Sequence, residues 1–424
     1  PGPIAELSAE AHRVGRAAAA SRAVREDSWL IGTSREFSLE LAERGWLGMT
    51  WPVEEGGGGR NALERFAVFE ALISEGAPLA TSWFADRQIG PTLLQFGTPE
   101  QRARWLPEIV AGRSAWSIGM SEPDAGSDVA SLRTRAVRRG DRWVVNGQKI
   151  WTSGAQYATF GILIARTDPD VAKHKGISYF VCPMDAPGIE IRPITEMTGG
   201  HTFNEVFFTD VRIPAENLVG DLNDGWRLAK VTLGNERVSL STGGVLWGNG
   251  PTALEAIDAI REAFPGGVGD PVDRQRIAQV YIEHTLLDLI RLRTLTAALK
   301  GEAPGPEASI RKILADEHGQ HVMALARDLI GAHGMLTGGD GSEAFVPGTD
   351  TKGLGPEKPA GGLSHAGWYD GYMFSQALTI GGGTGDVQRN IVAERVLGLP
   401  HDVNVTAGMT WAQAQRATAA VAGS

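Results

Sequence analysis

The chain changes its apolar pattern twice, from helical to strand-like and back, and that double switch limits the folds open to it. Up to about residue 115 the signals are helical. Thr33 and Glu36 read as a capping box ahead of Phe37-Ser-Leu-Glu-Leu, with Gly45 as the stop. Thr98-Pro99-Glu100-Gln101 opens a further helix that Gly112 closes. From about 116 to 220 short β runs take over: Trp143-Val-Val, Gly161-Ile-Leu-Ile-Ala, Ser178-Tyr-Phe-Val and Glu205-Val-Phe-Phe, separated by Gly, Pro and Asp. From about 221 helices return. The clearest spans 271–300, opened by Asp270 and Pro271, with Ile277, Val280, Tyr281, Leu287 and Ile290 at helical spacing. Further helices at about 306–330 and 384–397 suggest a bundle. The pattern predicts a multidomain α+β chain: an N-terminal helical domain (1–115), a middle β-barrel or sandwich domain (116–220), a C-terminal helical bundle (221–400) and a peripheral, helix-compatible tail (401–424).

Two stretches of the middle domain concentrate residues suited to a ligand. Residues 116–128, Trp-Ser-Ile-Gly-Met-Ser-Glu-Pro-Asp-Ala-Gly-Ser-Asp, form an irregular segment whose backbone can approach a ligand closely. Residues 144–155 read as a β-hairpin with a tight Asn146-Gly147 turn, followed by an aromatic and two hydroxyls. A third stretch, Gly381-Gly-Gly-Thr-Gly385, precedes the last helix, where free backbone amides favour a pyrophosphate. The Glu54–Gly59 run reads as a flexible loop, and 336–367, rich in Gly, Pro and Asp, as a functional or mobile segment.

Composition narrows the partners. With 40 Lys plus Arg against 50 Asp plus Glu, the chain has no basic footprint for nucleic acid or an anionic membrane. It has no run of about 18 apolar residues and no secretory leader pattern, and the single Cys182 cannot form an internal disulfide. These features predict a cytoplasmic protein in which Cys182 is a buried, inert thiol. The nine His show no metal-ligand spacing. No Gly-x-Gly-x-x-Gly opens a βαβ unit, and no Walker lysine follows a glycine loop.

The two middle stretches, with Gly48-Met-Thr-Trp-Pro, Phe96-Gly-Thr-Pro-Glu-Gln, Phe203-Asn-Glu-Val-Phe-Phe, Asp328-Leu-Ile-Gly-Ala-His-Gly and Gly383-Thr-Gly-Asp-Val-Gln-Arg, resemble the acyl-CoA dehydrogenase family over nearly the whole chain. The phrasing is most similar to actinobacterial members that act on steroid side chains or polyketide-related thioesters. The resemblance implies FAD, held by Met120, Ser121, Trp151, Thr152 and Ser153 at the ring, by Thr384 and Asp386 at the pyrophosphate, and by Asp328, Gly331 and Ala332. It also implies a contribution from a neighbouring subunit through Arg261 and Phe264, where Pro265 replaces the usual glycine. Many relatives carry the catalytic base where this chain has Gly382. The isovaleryl-type branch places it on a bundle helix, which here matches Glu236, followed by Arg237. Glu236 is thus the expected base, the Gly382 amide an expected donor to the thioester carbonyl, and Ser127 and Arg237 expected substrate contacts. The implied partners are an acyl thioester of CoA or a carrier protein and an electron-transfer flavoprotein, in a homodimer, homotetramer or heterotetramer. The alternatives are a flavin monooxygenase or oxidase of the same fold and a catalytically silent subunit of a heteromeric dehydrogenase.

Overall fold

The computed structural model describes residues 2–20, 29, 32–240, 253–302, 305–306, 308–332, 363, 367–401 and 403–422, with backbone alone for 235–240, 367 and 419–422. The N-terminal part comprises α1 (Pro3–Ala19), α2 (Arg35–Glu43), α3 (Ala62–Ser74), α4 (Ala80–Phe84), α5 (Gly90–Phe96) and α6 (Pro99–Val110), with a π-helical stretch, Ala85–Ile89, between α4 and α5. Trp46, Leu72 and Trp83 anchor its core. The α6 capping box forms between Thr98 and Gln101. For α2 the cap lies one residue later than the sequence suggests: Ser34, not Thr33, accepts the Phe37 N–H at 3.1 Å. Residues 54–59 are not a loose loop either. Gly58 and Gly59 donate to the carbonyls of Gly48 and Trp51, and a Cβ on Gly57 would come within 2.4 Å of Trp51. The glycines there permit close packing on the backbone of Trp51 and Met49.

The middle strands are β1 (Trp116–Gly119), β2 (Arg135–Arg139), β3 (Arg142–Lys149), β4 (Phe160–Arg166), β5 (Ile177–Pro183), β6 (Ile189–Pro193), β7 (Asn204–Pro214) and β8 (Leu218–Val219). They form one sheet in the order β6-β7-β3-β2-β4-β5-β8, with β1 paired to β4. One core, with Trp143, Leu163, Phe180 and Val211, fills the middle part. A second joins Ile162, Ile164 and Tyr179 to Trp105 and Leu106 of α6. Sandwiched between them, β4 and β5 need apolar residues on both faces. Asn146-Gly147 is not a turn. The β2–β3 hairpin turns at Gly140-Asp141, and Gly147 lies at an irregularity in the β3–β7 pairing, with φ at +152 and Thr134 where a Cβ would sit. A bulge and a hairpin turn both favour Asn-Gly, which is why the dipeptide misleads. Cys182 is buried, and burial pushes its thiol up to about 12.

The C-terminal part comprises α7 (Gly225–Leu240), α8 (Ala253–Ala263), α9 (Pro271–Leu299), α10 (Ala308–Ile330), α11 (Gly367–Ser375) and α12 (Gly385–Ile391), followed by α13 (Trp411–Ala422). On α9, Val280 and Leu287 face inward, but Tyr281, grouped with them by periodicity, is exposed with Ile282, Leu286 and Leu289. That helix is apolar on two sides. Between its buried residues, the Glu283 carboxylate takes hydrogen bonds from Gln279 and the rings of His318 and His321. The tail is not peripheral: the Trp411 indole donates to the Ser131 carbonyl at 3.2 Å, and the Trp411 N–H to Val171 at 2.7 Å. The 336–367 segment, apart from Leu363 and the Gly367 backbone, lies outside the described residues. No described helix is long and apolar enough to cross a membrane.

Candidate active site

The sheet brings the two middle stretches together. The last residue of β3, Lys149, points into the protein and is fully buried. Its ammonium donates to the Met120 carbonyl at 2.9 Å and to Glu122 Oε1 at 2.8 Å. The Glu122 carboxylate also accepts the Arg133 N–H at 2.6 Å and the Thr134 N–H at 2.9 Å. Burial pushes the Glu122 carboxyl up, but Lys149 and these donors hold it below its ordinary value. Burial also lowers the Lys149 ammonium, and Glu122 opposes that shift. One residue on, the Ile150 N–H donates to the Ser121 carbonyl at 3.0 Å, which sets Ser121 beside Trp151.

Trp151 has a left-handed backbone, φ +59, which a bulky residue adopts only under constraint, at roughly 1–3 kcal/mol. Its indole is 55% exposed. It meets Phe203 edge-on at 5.9 Å, and Phe203 stacks on Phe374 of α11 at 6.3 Å, so the aromatic row joins the sheet to the bundle. The Thr152 N–H and carbonyl are both taken by Asn204 at 3.0 Å. The Thr152 hydroxyl is buried without a partner, and the Ser121 N–H donates to no described residue. An exposed ring face beside unused donors suits a flat heteroaromatic ligand rich in acceptors, and a flavin fits that description. Ser153 follows, half-buried.

In the bundle, Thr384 caps α12 by accepting the Val387 N–H at 3.2 Å. Gly382 and Gly383 have φ of +65 and +92, and the Gln388 amide donates to both their carbonyls at 3.3 Å. Asp386 is exposed, 3.6 Å from Arg389. Asp328 binds Arg276 of α9 at 2.7 Å and Arg327. Burial raises its carboxyl, but these two arginines bring it below its ordinary value. Gly331 and Ala332 follow on the surface. Phe264 packs into the same bundle cluster as Leu329 and Ile330, while Arg261 is exposed and paired with Asp258 at 3.0 Å. Phe264, Leu329 and Ile330 thus share one bundle cluster. Their described contacts stay within the bundle.

Glu236 and Arg237 fall in the last turns of α7, with side chains outside the described residues. One turn before Glu236, Thr232 is buried and hydrogen-bonds Tyr179 of β5 at 3.0 Å and Thr92 of α5 at 3.1 Å. Those bonds lock α7 against both the sheet and the N-terminal helices. Ser127 is exposed, beside an Asp128 that Lys173 binds at 2.7 Å. Sequence reasoning missed Lys149, Glu122, Asn204 and the Phe203–Phe374 stack. Only Lys149 left a signal, as a charged residue at an inward position of a strand.

Three family models cover the chain: acyl-CoA dehydrogenase N-terminal domain over 5–113, middle domain over 117–211 and C-terminal domain over 223–397. Acyl-CoA dehydrogenase IpdE1 of Mycolicibacterium smegmatis is 37% identical over 380 residues, 87% of this chain and 89% of that protein. A solved Tcur3481-Tcur3483 steroid ACAD superposes with a TM-score of 0.78 at 32% identity, covering 95% of this chain and 99% of that one. The ChsE4-ChsE5 complex from Mycobacterium tuberculosis superposes with a TM-score of 0.74 at 30% identity, covering 95% and 99%.

Proposed function

The chain belongs to the acyl-CoA dehydrogenase family, and from that premise we propose that it oxidises the Cα–Cβ bond of an acyl thioester, with FAD as hydride acceptor and an electron-transfer flavoprotein downstream. The observation that carries this reading is the pair of unused donors, the Ser121 N–H and the buried Thr152 hydroxyl, beside the exposed indole of Trp151. FAD, when bound, supplies the two-electron acceptor. Met120, Ser121, Trp151, Thr152 and Ser153 hold and orient its ring. Thr384 and Asp386, with the glycine turn, and Asp328, Gly331 and Ala332 serve the nucleotide, while Arg261 and Phe264 reach a neighbouring subunit's pyrophosphate.

Glu236 removes the α-proton. The Gly382 N–H, which donates to no described residue, is offered to the thioester carbonyl as negative charge gathers there. Ser127 and Arg237 hold the CoA or carrier part. The absence of a side chain at Gly382 leaves room for branched or polycyclic acyl groups, and the likeness to a steroid ACAD favours the polycyclic kind. The exposed apolar side of α9 suits burial against another subunit, in a homodimer, homotetramer or a heteromer of the ChsE4-ChsE5 kind. The functional division follows domains 1–115, 116–220 and 221–400 with the tail 401–424, in a cytoplasmic enzyme.

Denatured, the purified protein is expected to release FAD and not FMN, and a thioester panel with a dye acceptor to yield an α,β-unsaturated product. A protein that stays colourless after FAD is added would overturn the reading. Hydrogen peroxide or a hydroxylated product under air would replace it with the oxidase or monooxygenase one.

A further inference from the structure

We propose that Lys149 is a positioning residue that sets the reduction potential of the bound flavin through the Met120–Ser121 peptide. The inference rests on the reading of Ser121 as a flavin contact. Lys149 holds the carbonyl of this peptide at 2.9 Å. In a trans peptide the C=O and the following N–H point in opposite directions, so the ammonium pulls on one end of a dipole whose other end, the Ser121 N–H, is unused by the protein. A hydrogen bond on the carbonyl strengthens the N–H as a donor, because linked hydrogen bonds polarise one another in a low-dielectric interior. A flavin ring gathers negative charge on reduction, so a strengthened donor favours the reduced form.

Stability does not account for a lysine here. Burying a cation is costly, and exchanging a buried ion pair for apolar residues of similar volume is often neutral or stabilising. The inward position of β3 does not itself call for a charge, although removing the lysine alone leaves the Glu122 carboxylate without its cation. Glu122, at 2.8 Å, tempers the charge, and Arg166 is the other charged group felt at Lys149. The Ile150–Ser121 hydrogen bond keeps the relay aimed beside Trp151 whatever stands at 149.

The test is the midpoint potential of the FAD-loaded protein, titrated reductively against reference dyes without substrate. K149M should retain FAD and shift the potential lower, and K149R, which keeps the charge, should return it toward the starting value. E122Q, which removes the opposing negative charge while keeping the side chain's size, should shift it higher. Opposite shifts in K149M and E122Q are the signature that a mere loop brace cannot give. An unchanged potential in FAD-loaded K149M, shifts of the same sign in both variants, or loss of FAD in both would overturn the proposal. If K149M alone fails to fold, the E122Q shift decides it. If the unaltered protein takes up no FAD, the flavin reading itself falls, a result distinct from a bound flavin indifferent to residue 149.

Discussion

Around Trp151 the chain completes its own architecture. Lys149, Glu122 and the backbone N–H groups of Arg133 and Thr134 satisfy one another, Asn204 pins Thr152, and the donors left over point to one ligand chemistry. In the bundle, Asp386 and Arg261 are exposed and, among the described residues, paired with neighbours on their own helices, and Phe264 merely packs. A charged pair on an open helix contributes little to stability. On the proposed reading, the contrast separates a ring half preformed by one chain from a nucleotide half whose handholds a second subunit would complete. The exposed apolar side of α9 supports the same conclusion, because a lone chain gains nothing by wetting Tyr281, Ile282, Leu286 and Leu289.

The strongest challenge to that contrast lies on α7, which belongs to the bundle yet is locked to the sheet through Thr232. If Glu236 is the base, Glu236→Gln keeps size and hydrogen-bonding reach but cannot take a proton, so turnover should fall roughly 10²-fold to 10⁴-fold with FAD retained. Full turnover in that variant would remove Glu236 from the chemistry and leave the bundle half without a catalytic role. Adding Gly382→Glu to it should recover a small part of the activity. The recovery is limited because residue 382 sits at φ +65, a conformation that costs an L-residue roughly 1–2 kcal/mol.

The two halves also differ in how far the sequence reveals them. Trp151 and Thr152 were legible because an aromatic-hydroxyl run after a strand is unusual, and the strands around them because β4 and β5 are apolar apart from the terminal Arg166 and Ser178. The left-handed backbone at Trp151 was not legible, since no local preference asks a tryptophan for φ +59. It is accompanied by tertiary pinning of the next residue, Thr152, by Asn204, 52 residues further along the chain. The Asn146-Gly147 bulge and the Ser34 cap failed for a related reason. Short motifs tell which conformations a residue tolerates, and the neighbouring strand or helix decides which one it takes. The packed glycines at 57–59 show the same ambiguity, since glycine permits looseness and close approach alike. In the bundle, periodicity found α9 but could not separate the side facing its own core from the apolar side left exposed.

Arg261 tests the completion by a second subunit directly. Because its guanidinium is exposed and its described ion pair is with Asp258, Arg261→Ala should leave the thermal midpoint nearly unchanged. If it reaches a neighbour's pyrophosphate, the lost charge-assisted hydrogen bond is worth about 1.5–3 kcal/mol, roughly 10-fold to 100-fold in FAD affinity. Flavin binding followed by fluorescence, alongside sizing of the particle, reads both quantities. Unchanged affinity, or a monomer that keeps its FAD, would make the nucleotide half as self-contained as the ring half and erase the contrast.

The smallest effect is expected where the ring half borrows from the far end of the chain. Trp411 donates from its backbone to Val171 and from its indole to Ser131, the Ala412 N–H reaches Pro169, and the Arg166 guanidinium lies 5.0 Å from the indole. Ser131 closes the segment that begins at Ser127, so the tail braces the proposed thioester-contacting loop from behind without touching the ring position. Trp411→Ala removes the indole hydrogen bond but not the backbone ones. With a net worth of about 0.5–1.5 kcal/mol, that bond should show as a roughly 2-fold to 12-fold rise in KM for the thioester. Turnover at saturation and FAD content should hold, since Lys149 and Asn204 brace the proposed ring contacts independently of the tail. A fall in FAD content would show that the ring half is not self-contained. A lower thermal midpoint with KM unmoved would show that the tail braces the fold and not the loop.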